Sequence, residues 1–136
     1  MKVAEKNTIR YKALKRIQRL RSAVILRQDV QDLGTDRQVS RALKALVEEG
    51  FVVKIGYGVY AKAKKSTLTN DQYLPGGFLT IGREALNRLG VEWEISEAEK
   101  QYGLGNTQQI PANPPTKLNT RFRRHLSYRG REMRFE

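Results

Sequence analysis

The stretch Thr35 to Lys62, TDRQVSRALKALVEEGFVVKIGYGVYAK, decides the fold. It opens on Thr35-Asp36-Arg37-Gln38, the Ser/Thr-x-x-Glu/Gln form of a capping box, in which the Thr hydroxyl and the Gln side chain satisfy amides that a new helix leaves unpaired. Val39, Leu43, Leu46 and Val47 then recur at i, i+4, i+7 and i+8, which makes one apolar stripe. Gly50 stands where a glycine ends a helix, so the spacing predicts a helix that stops near Glu49. Two β-rich runs follow around Gly56-Tyr57-Gly58, and glycines there relieve the steric cost of a tight reversal. This segment is therefore a capped helix followed by a hairpin.

Working towards the N-terminus, Arg27 to Leu33 predicts a short helix that buries Val30 and Leu33, with Gly34 closing it. Before it, Ser22-Ala23-Val24-Ile25-Leu26 is a short apolar run that fits either a brief strand closing the sheet or a buried connection. From Thr8 to about Arg21, Ile9, Ala13, Leu14, Ile17 and Leu20 repeat at helical spacing, with Lys12, Lys15, Arg16 and Arg19 on the other faces. Helix, short helix, turn, capped helix and hairpin in that order predict a winged helix-turn-helix over residues 1–65.

Working towards the C-terminus, residues 66–79 are polar and turn-like, which predicts a linker. Thr80 to Leu89 carries Ile81, Ala85, Leu86 and Leu89 on one helical face, with Gly90 just beyond. Gly103 to Pro115 is rich in Gly and Pro and reads as irregular. Leu118 to Phe122 and His125 to Phe135 read as a second basic hairpin around Tyr128-Arg129-Gly130-Arg131. Residues 80–136 would thus form a small C-terminal α+β extension with a basic tail, and the fold class is α+β.

Composition narrows the function. The chain has 136 residues, 39% of them hydrophobic and 29% charged, which fits a folded chain with one compact core and argues against wholesale disorder. There are no cysteines, so disulfides, thiolate metal sites and cysteine nucleophiles are excluded. With no apolar run near the roughly 20 residues that span a bilayer, and no secretory signal at the start, the expectation is a cytoplasmic protein that does not engage membranes. The formal net charge is +12 and unevenly placed. Residues 1–65 hold 16 basic and 6 acidic side chains, residues 66–116 hold 3 and 6, and residues 117–136 hold 7 and 2. Two basic blocks flanking an acidic middle point to local polyanion-binding surfaces, with nucleic acid as the partner.

If the capped helix buries Val39, Leu43, Leu46 and Val47, then Arg37, Gln38, Ser40, Arg41 and Lys44 lie on its exposed side. Arg can bridge guanine O6 and N7, Gln can pair with adenine N6 and N7, and Ser or the amides of the helix start at Thr35 can hold phosphates. Arg27 and Gln28 open the preceding helix, where helix-turn-helix proteins meet the backbone. On the hairpin, Lys54 and Tyr57 are placed to reach an adjacent groove or its phosphates, whereas Val59 and Tyr60 pack inward. Enzymatic readings fare poorly: His125 is the only histidine, and a single His among arginines makes neither a metal cluster nor a nucleophile-base pair. Glu92, Glu94, Glu97 and Glu99 read as a solvated acidic face. No cofactor or metal is expected.

The stretch Leu33 to Lys62, with Asp36-Arg37-Gln38-Val39-Ser40-Arg41-Ala42-Leu43, then Leu46-Val47-Glu48-Glu49-Gly50 and Ile55-Gly56-Tyr57-Gly58-Val59-Tyr60, resembles the N-terminal winged helix of AbiEi-type antitoxins. These proteins autoregulate bacterial type IV toxin-antitoxin operons, and the resemblance spans about residues 8 to 65. More distantly, Thr80-Ile81-Gly82-Arg83-Glu84-Ala85-Leu86 and Arg121 to Phe135 look like the region after the winged helix in that family. The resemblance implies operator binding by a transcriptional repressor, as a homodimer or in tandem, and a cognate toxin of nucleotidyltransferase type as partner. The chain is shorter than fuller members, whose separate C-terminal domain neutralises the toxin. Two other readings fit the same charges: an antitoxin acting mainly through protein contacts, and a winged helix that binds RNA.

Overall fold

A computed structural model describes residues 8–108 and 113–136. It is an α+β protein built around a three-stranded antiparallel sheet. The first helix, α1 (Ile9–Arg19), is N-capped by Thr8, whose Oγ1 accepts from the Tyr11 amide at 3.1 Å. The apolar run that sequence left open between strand and connection is a strand, β1 (Val24–Leu26). It pairs with β3 (Val59–Lys62), which also pairs with β2 (Val52–Gly56), giving the order β1-β3-β2.

Successive residues of a strand point to opposite faces, and here both faces are covered. Ile25, Val52 and Tyr60 join Ala13 and Ile17 of α1 and Val39, Leu43 and Leu46 of α2 (Asp36–Glu48) in one core. Val24, Leu26, Val53, Val59 and Ala61 face the other way, into a second core with Leu74, Phe78, Ile81, Leu86, Leu126 and Met133. That double burial explains why β1 is apolar at every position.

The helix expected over Arg27 to Leu33 is instead two consecutive 3-10 turns, Arg27–Asp29 and Gln31–Leu33. The Asp29 carboxylate accepts from the Leu26 amide at 2.8 Å and pairs with Arg88, while Val30 leaves helical geometry at φ −123° and ψ 5°. A side chain that bonds its own local backbone competes with the α-helical ladder. Arg16 fixes these turns from α1, bonding the Asp29 carbonyl at 3.2 Å and pairing with Asp32.

Two short strands, β4 (Lys64–Lys65) and β5 (Gln72–Tyr73), pair with each other, and Leu74 and Phe78 are buried, so the stretch read as a linker supplies core. The next helix, α3 (Phe78–Arg88), starts two residues before the expected Thr80. The acidic segment forms β6 (Trp93–Ile95) and a short helix, α4 (Glu97–Gly103), both unforeseen. Glu92, Glu94 and Glu97 are exposed, but Glu99 is no part of a solvated acidic face. It takes Arg83 Nη1 at 2.9 Å and a second, shorter bond from Nη2, while Arg83 Nε donates to the buried Thr116 hydroxyl at 3.0 Å. The Arg83 guanidinium also lies 5.0 Å from the Trp93 ring centroid.

Leu118 belongs to β7 (Thr116–Leu118), which pairs with β6, and not to the C-terminal hairpin. That hairpin is β8 (Ser127–Tyr128) against β9 (Arg131–Glu132), reversing at Arg129 and Gly130, both at positive φ. Part of the segment expected to be irregular, residues 109–112, lies outside the described residues. Within those residues no helix is long and apolar enough to cross a membrane.

Candidate nucleic-acid interface

α2 is closed at both ends by its own sequence. At its start, Thr35 Oγ1 accepts from the Gln38 amide at 3.2 Å, and Gln38 Oε1 accepts from the Thr35 amide at 2.9 Å. At its end, Gly50 sits at φ 87°, with Gly50 N bonded to Val47 O at 3.1 Å and Phe51 N to Leu46 O at 3.0 Å, the double bond pattern of a glycine-terminated helix. Val39, Leu43 and Leu46 are each 1% exposed or less, so the opposite side is fixed outward.

That outward side carries Arg37, Ser40, Arg41 and Lys44, all exposed and spaced i, i+3, i+4 and i+7. Beside it runs a groove between α2 and the β2–β3 hairpin, lined by Arg27, Asp36, Ser40, Lys44, Lys54 and Tyr57 among others, with Tyr60 at its floor. Lys54 reaches the groove because it lies opposite Tyr60 in the register, on the α2 side of the sheet. The register shifts between Lys54 and Gly56, so Ile55 is an extra residue that turns its own side chain to the far core. Burial pushes the Tyr60 phenol above its usual pKa, with the Arg27 charge opposing, so it stays a neutral hydroxyl.

The structure thus gathers five of the ten residues singled out from sequence, Arg27, Ser40, Lys44, Lys54 and Tyr57, around one groove. Arg37 and Arg41 continue the same helix face outside it. Gln28 is exposed on the first 3-10 turn. Thr35 and Gln38 are exposed too, but the capping box occupies Thr35 Oγ1 and Gln38 Oε1. Arg27 is half-buried and engaged with the protein: its Nη2 donates to Asp36 O at 2.8 Å, and its amide donates to Gly58 O at 2.9 Å. It joins the α2 start to the hairpin tip.

At that tip Tyr57 is 86% exposed, a large aromatic surface left in water. Its carbonyl takes a hydrogen bond from Arg124 of the C-terminal segment, a neighbour that no local pattern foretells. The excess of basic residues over 117–136 was the only signal of it in the sequence. Among the described residues no cluster of His, Cys, Asp or Glu is arranged to hold a metal ion. Comparison with protein-family models, with curated proteins and with solved structures returns no match.

Proposed function

We propose that this chain is a winged helix-turn-helix protein that binds duplex DNA sequence-specifically, with α2 as the recognition helix and the β2–β3 hairpin as the wing. Its role is binding and not catalysis, as a cytoplasmic transcriptional repressor of bacterial or mobile-element origin. One observation carries the reading. Arg37, Ser40, Arg41 and Lys44 form an exposed polar strip on a helix anchored at both ends, beside a groove that adds Lys54 and Tyr57. An α-helix about 10–12 Å across matches the roughly 12 Å width of the major groove. Arg37 and Arg41 have the bidentate donors that guanine accepts, and Lys54 and Tyr57 would meet the adjacent backbone. With Gln38 engaged in its cap, the two arginines are the favoured base readers.

The resemblance to AbiEi-type antitoxins extends this proposal to autoregulation of its own operon, on paired half-sites as a dimer, with a nucleotidyltransferase-type toxin as partner. A gel shift at stated salt, comparing the upstream promoter duplex with random duplexes, tests the core of it. Arg41→Ala weakens operator binding by about 1 to 3 kcal/mol and relaxes specificity, whereas Lys54→Ala lowers affinity for all duplexes alike. Equal affinity of the native chain for promoter and random duplexes refutes base recognition.

A further inference from the structure

The C-terminal segment from Arg121 to Phe135 is fixed on the fold by its own apolar contacts and by packing on α3, and it touches the β2–β3 hairpin at Gly56 and Tyr57. Leu126 is 0% exposed and Met133 4%, and the Met133 amide donates to Leu126 O at 2.8 Å. Phe122 meets Phe135 edge-on with ring centroids 5.5 Å apart, and Tyr128 lies 6.4 Å from Phe78. At Gly56 in β2, a Cβ would come within 2.9 Å of both His125 O and Leu126 Cδ2, so the segment rests directly on the strand backbone. The Arg124 guanidinium then caps the Tyr57 carbonyl.

With its apolar side chains turned inward, this arm presents Arg121, Arg123, Arg124, Arg129 and Arg131 as exposed side chains. Of its nearby acids, Glu132 is paired with His125. Neither Arg123 nor Arg131 has an ion-pair partner among the described residues. Six of the seven basic residues over 117–136 are Arg, the side chain whose planar fork fits a phosphate in two-point contact. A cationic segment already fixed on the fold loses little conformational freedom on binding. Its position is also telling, because Tyr57 both lines the α2 groove and accepts from Arg124, which makes the arm an outward continuation of that groove's wall.

From this arrangement we infer that the C-terminal arm is a second phosphate-contacting element, which grips the backbone of the duplex outside the stretch that α2 enters. The inference rests on the DNA-binding reading above and adds to it a composite wing of two neighbouring hairpins. The probe is a fluorescein-labelled random-sequence duplex of about 30 base pairs, three helical turns, titrated by anisotropy between about 50 and 200 mM salt.

Each phosphate contact adds about 0.9 to the slope of log affinity against log salt, so Arg123→Ala/Arg131→Ala lowers that slope by about 1.8. Over the fourfold rise in salt the native chain then loses about 12-fold more affinity than the double variant. Arg123→Lys/Arg131→Lys keeps the native slope, which separates charge from misfolding. An unchanged slope in the Ala pair, with one reduced by about 0.9 in Lys54→Ala, overturns the arm and leaves the DNA-binding reading intact. A native chain that binds the duplex with no salt dependence, or not at all, overturns both. Displacement of the duplex by a folded RNA hairpin at equal or lower concentration overturns the assignment to duplex backbone.

Discussion

Replacing Gly56 with alanine separates a genuine packing contact between strand β2 and the C-terminal arm from mere proximity. Gly56 needs no unusual backbone dihedral, since its φ is not among the positive values, so the cost of a methyl group there is purely steric. The new Cβ would stand 2.9 Å from a backbone carbonyl oxygen, His125 O, and 2.9 Å from Leu126 Cδ2. A side-chain methyl can rotate away, but the carbonyl belongs to a segment pinned on its other side by Leu126 and Met133 in the core. Overpacking of this kind costs about 1 to 3 kcal/mol. With an unfolding entropy of about 2.1 cal/mol/K per residue, a chain of this length changes its melting temperature by about 3.5 °C per kcal/mol. Gly56→Ala therefore melts about 3 to 10 °C below the native chain, read by far-UV circular dichroism. Gly103→Ala is the matching control, because a Cβ there meets nothing within 4 Å and its φ is not among the positive values. A Gly56→Ala protein that melts at the native temperature would show that the arm does not lie on the strand, and the composite wing would go with it.

Two further outcomes concern the Glu99 ion pair and the cap of α2. Glu99 is held below the usual carboxylate pKa chiefly by its hydrogen bonds from Arg83, outweighing desolvation; a depressed folded-state pKa means that its stabilisation is complete above about pH 4.3 and disappears as pH falls through the lower folded value. Glu99→Gln lowers stability by about 1.5 to 3 kcal/mol at neutral pH and flattens that acid limb in urea unfolding, and a limb identical to the native one refutes the assignment. Thr35→Ala removes one half of the α2 cap and costs about 1 kcal/mol in the same unfolding assay, whereas Thr35→Ser restores it; equal stability of all three would assign Thr35 no capping role.

The parts of this fold that were legible in the sequence are those set by neighbours along the chain. The Thr35–Gln38 capping box, the stripe of Val39, Leu43 and Leu46, and the Gly50 stop are all interactions within a few residues, and α2 obeys them. The hairpin around Tyr57 is of the same kind. Long-range pairing was opaque. Nothing near Val24-Ile25-Leu26 says that it will meet Val59 to Ala61, and a short apolar run suits a strand or a buried link equally. The Arg27–Leu33 turns were not legible because Val30 and Leu33 have helical spacing, while Asp29 bonds the Leu26 amide and is held there by Arg88, 59 residues away. At Ser96 the signal was present and passed over: Ser96-Glu97-Ala98-Glu99 is itself a capping box, and Glu99 N bonds Ser96 Oγ at 3.3 Å. Of the candidate site, exposure of the α2 face followed from its buried stripe, but the involvement of Arg124 could not, since only tertiary packing brings it to Tyr57.

The central sheet has a practical consequence for anyone who wishes to shorten the gene. A product ending after Lys65 would retain all three strands and both N-terminal helices, yet Val24, Leu26, Val53, Val59 and Ala61 would lose Leu74, Phe78, Ile81, Leu86, Leu126 and Met133 as cover. An oily slab of that kind drives self-association and clumping during expression. Residues 1–65 therefore cannot be lifted out and grafted onto another protein as a free-standing cassette, and transplanting the proposed recognition surface requires exchanging surface side chains within the whole chain.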